Sequence, residues 1–333
     1  MPTNKGFVLA SRPQGAAKES DFRLFTRDIG EPGEGQVLVR NLWMSLDPYM
    51  RGRMDESKSY AANQGIDDVM IAGTAGEVVA SKNPRFAVGD KVVSNNGGWQ
   101  LYSLTDGRDL RVVDASRVPL QAFVGPLGMP GVTAWYGLNH ILAPKAGETV
   151  VVSAATGAVG TVVGQLAKGR GARAVGIAGG PDKCRFAVEE LGFDACVDHR
   201  SATFKDDFKA ATPKGVDGLF ENVGGEPFRL ASHRLNDFAR VAICGLIASY
   251  EGAEKSSLDD LRILLVKRAM IRGFIVSDHI DLWPQAIGEL TELAASGKLK
   301  WRETIAEGIE SAPSAFLGML KGKNFGKQLV KLH

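Results

Sequence analysis

The sequence predicts an α/β protein whose larger domain is a doubly wound parallel sheet of the Rossmann type. The chain has 333 residues, more than a single hydrophobic core usually organises. Its first 120 residues combine short strand-like runs with closely spaced glycines and prolines. From Thr149 onward, strand-like and helical segments alternate, which is typical of parallel strands covered by helices.

The first part of the chain contains strand-like runs separated by turn residues, at residues 36–42, 73–80 and 86–93. This spacing favours a barrel-like or rolled antiparallel unit. After residue 298 the chain returns to short elements, with a helix predicted over 312–321 and a strand over 327–332. We expect this tail to rejoin the first domain.

The second part begins with a continuous apolar, β-branched run at residues 149–154, which fits a strand buried on both faces of a parallel sheet. The segments that follow alternate: helix 159–170, strand 174–178, helix 183–191, and strands 195–197, 218–222 and 241–245. A further strand-like run lies at 270–276. The expected domains are residues 1–120 and 121–297, with the return to the first domain over 298–333.

Composition excludes several classes of protein. The 40 basic and 38 acidic residues give a net charge of +2, so nothing draws the chain to nucleic acid or to an anionic membrane. Cys184, Cys196 and Cys244 are odd in number and lack ligand spacing, which argues against a disulfide framework or a zinc ribbon. Without a visible secretory leader or membrane-spanning run, we expect a cytoplasmic protein.

The sharpest motif lies between a predicted strand and a predicted helix, the context that a dinucleotide-binding loop requires. Gly157 allows a pyrophosphate to approach the backbone, and Gly160 allows the helix to pack against the sheet. The helix N-terminus then offers free N–H groups to the phosphates. The alternative is a tight turn without a ligand. The candidate loop residues are Thr156, Gly157, Ala158, Val159 and Gly160.

The region about 20 residues past this loop predicts which dinucleotide is bound. NAD-binding folds place an Asp or Glu there, on the ribose hydroxyl. Here Gly179 and Gly180 occupy the position, Lys183 follows, and Asp182 lies where it could cap the next helix. Glycine with lysine favours an additional phosphate, and therefore NADP(H). The alternative is that Lys183 is an ordinary exposed lysine in a first helical turn.

The sequence also argues against a metal and against a hydrolase. A catalytic zinc needs three protein ligands, yet the first 120 residues contain no Cys and no His. Three cysteines cannot form a four-cysteine structural site. No G-x-S-x-G motif is present, so a serine hydrolase is unsupported. We expect a metal-independent site.

Seven ordered motifs carry a resemblance that covers essentially the whole chain. They are residues 44–52 (MSLDPYMRG), 128–134 (GMPGVTA), 154–160 (AATGAVG), 221–225 (ENVGG), 243–245 (ICG), 273–276 (GFIV) and 324–327 (NFGK). Together they resemble the zinc-free prostaglandin reductase (leukotriene hydroxydehydrogenase) group of the medium-chain dehydrogenase/reductase superfamily. Plant double-bond reductases and bacterial curcumin reductases belong to the same group.

The resemblance implies a GroES-like catalytic domain built from the N-terminus and the C-terminal tail, around a Rossmann domain that binds NADP(H). It implies a homodimer that reduces the carbon–carbon double bond of enones and alkenals, small molecules, by hydride transfer to the β-carbon. Lys183 would meet the 2′-phosphate, and Asn222 and Asn324 the nicotinamide ribose and phosphate region. The residues that would frame the nicotinamide are Cys244, Gly245, Phe274, Ile275 and Val276.

Two tyrosines are the catalytic candidates that the resemblance implies. Tyr250 occupies the position of a proposed catalytic tyrosine, and Tyr49 would line the substrate pocket. Tyr250 could instead be a lid over the cofactor, with the ribose 2′-hydroxyl as the hydrogen-bond donor. Two positions depart from the family: His199 replaces a tyrosine near the adenosine phosphate, and Glu221 replaces an aspartate.

Two other functions remain open from the sequence. A quinone oxidoreductase shares the fold, the hydride donor and the metal-free site, so only the motifs argue against it. A cofactor-binding sensor without turnover would keep the same loop. Steady NADPH consumption with an enone distinguishes an enzyme from a sensor. Identification of the product distinguishes an enone reductase from a quinone oxidoreductase.

Overall fold

The computed structural model describes residues 3–56, 58–250 and 256–333. The chain forms two compact units, one of residues 1–128 with 303–333 and the other of residues 129–302. The junctions therefore lie near residues 128 and 302, whereas the sequence placed them near 120 and 297. Residues 120–128 belong with the first unit because the 3₁₀ helix Leu120–Val124 packs against its strands.

Fifteen strands are present in the described part of the chain. In chain order they are β1 (Thr3–Leu9), β2 (Phe22–Asp28), β3 (Val37–Ser45), β4 (Thr74–Ser81), β5 (Lys91–Ser94), β6 (Tyr102–Thr105), β7 (Arg111–Val112), β8 (Thr149–Ser153), β9 (Arg173–Ala178), β10 (Ala195–Asp198), β11 (Val216–Glu221), β12 (Leu235–Ile243), β13 (Met270–Gly273), β14 (Glu303–Glu307) and β15 (Lys327–Lys331).

Nine α-helices accompany these strands within the described residues. They are α1 (Tyr49–Arg53), α2 (Met129–Tyr136), α3 (Gly160–Gly169), α4 (Pro181–Glu189), α5 (Phe204–Ala211), α6 (Gly225–Ser232), α7 (Arg262–Lys267), α8 (Trp283–Ala295) and α9 (Ala312–Leu320). Among the same residues, no helix is both long enough and apolar enough to cross a membrane.

Unit 2 is built on a six-stranded sheet in the order β10-β9-β8-β11-β12-β13, and every strand pair in it is parallel. Counted along the chain, this is the order 3-2-1-4-5-6 of a Rossmann fold. Val150, Val151 and Val152 of the central strand β8 are fully buried, because helices cover both faces of such a sheet. The predicted doubly wound sheet is confirmed.

Two predicted strands in this sheet are too long at their carboxyl ends. The strand expected over 241–245 ends at Ile243, because the amides of Cys244 and Gly245 both donate to the Glu221 carbonyl and the chain turns away from the sheet. The run expected over 270–276 ends at Gly273, since a 3₁₀ helix begins at Val276. In both cases the candidate residues lie beyond the end of the strand.

Unit 1 contains a seven-stranded sheet in the order β14-β15-β3-β4-β5-β7, with β6 also paired to β3, and a separate β1-β2 hairpin. The C-terminal strand β15 pairs antiparallel with β3, and β14 pairs parallel with β15. The core of this unit centres on Trp99, which stacks on Phe22 at 5.2 Å and meets Phe316 edge-on at 5.5 Å. Phe316 lies on α9, so the C-terminal segment contributes to the core of the N-terminal one.

Candidate cofactor and active site

The candidate residues of unit 2 all follow the carboxyl ends of its parallel strands. This is the edge at which open α/β sheets bind ligands, next to the point where strand order reverses, here between β8 and β11. The residues in sheet order are His199 after β10, Gly179 after β9, residues 156–160 after β8, Asn222 after β11, Cys244 and Gly245 after β12, and Phe274, Ile275 and Val276 after β13.

The loop after β8 has the geometry of an anion-binding turn. Ala154 adopts a left-handed conformation (φ 48°), and the Gly157 amide donates to the Ala154 carbonyl at 2.8 Å. A Cβ on Gly160 would lie 2.3 Å from the Ala154 oxygen, so only glycine permits this approach. In the described part of the chain, the amides of Ala158 and Val159 make no backbone hydrogen bond. They are available to a pyrophosphate at the N-terminus of α3.

Three basic side chains gather around Gly179. A Cβ at this position would lie 2.9 Å from His199 Nε2 and 3.0 Å from Arg200 Nε. Lys183, in the first turn of α4, is close enough for its positive charge to lower the pKa of His199. Because glycine has no Cβ, the His199 and Arg200 side chains can approach the backbone at this position. We call Lys183, His199 and Arg200 the basic cluster.

The electrostatics of the basic cluster indicate a site for a multivalent anion. Burial and the nearby Arg200 cation both lower the pKa of Lys183 and the pKa of His199. The Asp198 carboxylate, which the amides of Gly180 and Arg200 hold by hydrogen bonds, opposes this shift at His199 through its negative charge. A bound phosphate would relieve the mutual repulsion of the cations. The cluster therefore fits the additional phosphate that separates NADP(H) from NAD(H).

Glu221 has a larger role in the structure than the sequence indicated, where it is only a departure from the family pattern. It ends β11, is fully buried, and one carboxyl oxygen accepts hydrogen bonds from Ser153 Oγ (2.8 Å), Val223 N (2.6 Å) and Gly224 N (2.7 Å). Its other oxygen, Oε2, is buried without a partner among the described residues. Burial raises the pKa of this carboxyl, although the amides of Gly224 and Val223 oppose that shift.

Glu221 organises the residues expected to hold the nicotinamide half of the cofactor. Its carbonyl accepts the amides of Cys244 (2.9 Å) and Gly245 (3.2 Å). Beside it, Asn222 donates from its side chain to the Ser153 carbonyl at 2.8 Å. The ends of β8, β11 and β12 are thereby tied together. The sequence carried one signal for this role: Glu221 ends a buried apolar strand, where a charged group needs a specific partner.

The segment after β12 brings Tyr250 back towards the sheet. A Cβ on Gly245 would lie 3.4 Å from the Asn222 carbonyl and 3.5 Å from the Tyr250 hydroxyl. These three candidates therefore form one group. Burial, followed by the Glu221 charge, raises the pKa of Cys244 to about 12, so its thiol stays protonated near neutrality.

The three candidates after β13 line the far end of the same edge. Phe274 packs against Tyr136 at 5.5 Å and against Phe220 at 6.2 Å. Val276 is buried, and its carbonyl accepts the Trp283 indole N–H at 3.2 Å. Ile275 lies between them and is half-buried. These contacts hold the backbone of residues 274–276 in place. None of the three side chains carries a charge.

In unit 1, a buried ion pair joins the two segments that carry candidates. Lys327 Nζ donates to Asp47 Oδ1 and to the Leu46 carbonyl, each at 2.7 Å, and both charged residues are buried. Tyr49 follows Asp47 and begins α1, and Asn324 precedes β15. The pair therefore links the position of Tyr49 to that of Asn324.

The two unit 1 candidates differ in what they can offer. Burial and the Asp47 carboxylate raise the pKa of Tyr49, so its phenol stays protonated and can only donate or accept a hydrogen bond. The Arg53 guanidinium lies 5.7 Å from its ring. The Asn324 amide nitrogen donates to the Gly326 carbonyl at 2.7 Å, which fixes the turn before β15.

Among the residues that the structure describes, no group of three or more His, Cys, Asp or Glu side chains could hold a metal ion. The features at the carboxyl ends of the strands fit a phosphorylated dinucleotide on two counts: the basic cluster at Gly179 and the amides before α3.

Known proteins are similar to this chain in sequence and fold over almost their whole length. One family model, described as the N-terminal domain of oxidoreductase, matches residues 5–113, and another, described as zinc-binding dehydrogenase, matches residues 158–292. NADPH-dependent curcumin reductase from Escherichia coli (strain K12) is 45% identical over 99% of this chain and 97% of its own. The NADP(+)-dependent 2-alkenal reductase of Nicotiana tabacum is 36% identical over 98% of this chain and 97% of its own. The crystal structure of CurA from Vibrio vulnificus in complex with NADPH matches with a TM-score of 0.93 and 43% identity, covering 99% of both chains.

Proposed function

The chain belongs to the zinc-free double-bond reductases of the medium-chain dehydrogenase/reductase superfamily, and from this premise we propose that it reduces the carbon–carbon double bond of α,β-unsaturated ketones and aldehydes with NADPH. The observation that carries the proposal is the basic cluster around Gly179, because it offers a place for the 2′-phosphate. Relatives named for NADPH-dependent reduction of curcumin and alkenals extend over the whole chain.

The binding roles follow the order of the strands. Lys183 and His199 would hold the 2′-phosphate, and the amides of residues 156–160 the pyrophosphate. Asn222, Cys244 and Gly245, with residues 274–276, would frame the nicotinamide half. By the resemblance, Asn324 would hold the nicotinamide ribose and phosphate region.

The protein's own part in the reaction is to bind, orient and stabilise charge. When bound, NADPH supplies the hydride that reduces the double bond. Negative charge then develops on the substrate carbonyl oxygen, and a hydrogen-bond donor aimed at that oxygen lowers the barrier. We assign this donor to Tyr250, whose hydroxyl lies beside Gly245. Tyr49, which stays protonated, would line the substrate pocket.

The decisive experiment is an NADPH-oxidation screen over alkenals, enones and quinones, with identification of each product. We expect a saturated ketone or aldehyde as product, with the carbonyl group intact. NADPH consumption with quinones alone would replace the proposal by a quinone reductase. Binding of NADPH without turnover on any substrate would indicate a sensor.

Tyr250→Phe tests the donor within this function. The variant should keep NADPH affinity and lose turnover, by about 100-fold if Tyr250 alone stabilises the oxyanion. Single-turnover measurement of hydride transfer is the appropriate readout, because product release can hide a chemical defect. Unchanged hydride transfer would leave Tyr250 as a lid over the cofactor.

The expected assembly and location complete the proposal. We propose a homodimer formed through β13, which lies at one end of the unit 2 sheet and has exposed apolar residues near it. The three free thiols suit a reducing compartment such as the cytoplasm. No nucleic acid or membrane partner is proposed, since basic and acidic residues are almost balanced.

A further inference from the structure

Two cysteines on neighbouring elements of unit 2 bring their thiols together. Cys184 lies in the first turn of α4 and Cys196 on β10, which pack against each other. The two side chains are close enough to share a hydrogen bond, and both residues are partly exposed. The function described above uses neither thiol.

Gly176 provides the space in which Cys196 lies. The two residues pair across β9 and β10, and a Cβ on Gly176 would lie 2.9 Å from Cys196 Sγ. The same point is 2.7 Å from the Ala155 Cβ of the phosphate loop. Cys196 Sγ and the Ala155 Cβ therefore border the same small space beside Gly176, next to the turn that precedes α3.

The second thiol is next to the basic cluster. Cys184 directly follows Lys183 in α4, and the Ala178 amide at the end of β9 donates to its sulfur. The hydrogen bond from Cys196 lowers the pKa of Cys184, whereas the hydrogen bond to Cys184 and burial raise the pKa of Cys196 and keep it a thiol. The pair thus combines a nucleophilic sulfur with a resolving one.

We propose that Cys184 and Cys196 form a reversible disulfide that lowers the affinity of the protein for NADPH. The inference rests on the proposed cofactor site, because it acts through Lys183. Hydroperoxides would oxidise the two thiols. In a reducing compartment such as the cytoplasm, the disulfide would be transient.

The chemistry balances with one equivalent of a hydroperoxide. The Cys184 thiolate attacks the terminal peroxide oxygen, the O–O bond breaks, and an alcohol or water leaves with a proton. Cys196 then attacks the resulting sulfenic acid, an S–S bond forms, and water is released. Two thiols lose two electrons and two protons in total, and the peroxide is reduced.

The effect on NADPH follows from the distance that the sulfur atoms must cover. A disulfide brings them to about 2.05 Å, closer than two hydrogen-bonded thiols can be, so the first turn of α4 must move towards β10. Lys183 moves with it. Loss of one charge-assisted contact to the 2′-phosphate weakens binding by about 10- to 150-fold.

The test compares the full-length wild type with Cys196→Ser and Cys184→Ser before and after hydrogen peroxide. Intact mass and non-reducing peptide mapping measure the bridge, and a fluorescence titration measures the dissociation constant for NADPH. In the wild type we expect loss of two hydrogen atoms in mass, a peptide linking Cys184 to Cys196, and a dissociation constant raised about 10-fold or more. Dithiothreitol should reverse all three changes, and bound NADPH should slow the oxidation.

Neither serine variant should show the loss of two hydrogens or the linked peptide. The proposal is overturned if the oxidised wild type lacks this bridge, or if the bridge forms while NADPH affinity stays the same. If the reduced wild type fails to bind NADPH, the cofactor site is wrong instead, and the mass measurement still decides whether the bridge forms.

Discussion

Lys183 is the single residue on which cofactor choice most depends. Its ammonium group shares the basic cluster with His199 and Arg200, which approach the backbone at Gly179 because that residue has no Cβ. Because a charge-assisted hydrogen bond contributes about 1.5–3 kcal/mol, Lys183→Ala should weaken NADPH binding by about 10- to 150-fold. Binding of NADH should hardly change, since it has no 2′-phosphate. Titration of the wild type and the variant with both cofactors measures the difference; an NADH preference in the wild type would contradict the cofactor assignment.

His199 should make cofactor choice dependent on pH. Burial and Arg200 hold its pKa below the usual 6.5 in the free protein, and a bound phosphate would raise it. Affinity for NADPH over NADH should therefore increase as pH falls through the pKa of the bound state and level off below that of the free state. A phosphoester itself titrates near about 6, so the comparison is wild type against His199→Gln. Equal pH slopes in the two proteins would remove His199 from the site.

Glu221 should affect stability in two distinguishable ways. Glu221→Ala leaves buried amides of Val223 and Gly224 without an acceptor, which costs about 1–3 kcal/mol for each group. Glu221→Gln keeps an acceptor and removes the charge. Because the folded-state pKa is raised above 4.5, the wild type binds the proton more tightly when folded.

The wild type should therefore lose stability relative to Glu221→Gln as pH rises from about 4.5 through the folded pKa, and the difference should then stay constant. Urea unfolding at a series of pH values measures the two free energies. A difference that does not vary with pH would mean that the carboxyl titrates normally in the folded protein.

At the scale of elements, the Asp47–Lys327 pair connects α1 to β15. Both groups are buried, and Lys327 also donates to the Leu46 carbonyl. Lys327→Met leaves the Asp47 charge buried without its partner, so we expect a loss of about 3–5 kcal/mol in the free energy of unfolding. The double variant Asp47→Asn, Lys327→Met should recover part of it, because neither charge remains. Chemical denaturation of the wild type, Lys327→Met, Asp47→Asn and the double variant checks this; if the losses of the two single variants add up in the double variant, the pair is not coupled.

At the scale of the whole molecule, the exposed edge of the unit 2 sheet predicts self-association. In the described part of the chain β13 pairs only with β12, and the segment that leads into β13 exposes apolar side chains, with Leu265 78% and Leu261 71% exposed. An unpaired apolar edge needs pairing or cover. We expect a dimer by light scattering at micromolar concentration, and a shift to monomer in Met270→Lys. Exposed Val88 on unit 1 is a matched control position, where Val88→Lys should leave the mass unchanged. A monomeric wild type would contradict the prediction.

The sequence by itself determined the class of fold and the class of cofactor. The buried run at 149–154, the loop at 155–160 and the glycines at 179–180 are local patterns, and each has a direct physical consequence: burial on two faces, close backbone approach, and the absence of a repelling acid. The ordered motifs added the family, which the full-length relatives show. These features are encoded within a few neighbouring residues, so a single chain suffices to find them.

Only the tertiary structure decided which distant residues meet. The gathering of His199 and Arg200 at Gly179, the hydrogen bonds that Glu221 makes to Ser153 and the 223–224 amides, and the buried partnership of Asp47 with Lys327 all join positions far apart in the chain. The contact between Cys184 and Cys196 depends equally on how α4 lies against β10. Charge, burial and unpaired polar atoms are properties of these assembled environments. A sequence read locally shows the groups but not the partners that set their pKa values and their roles.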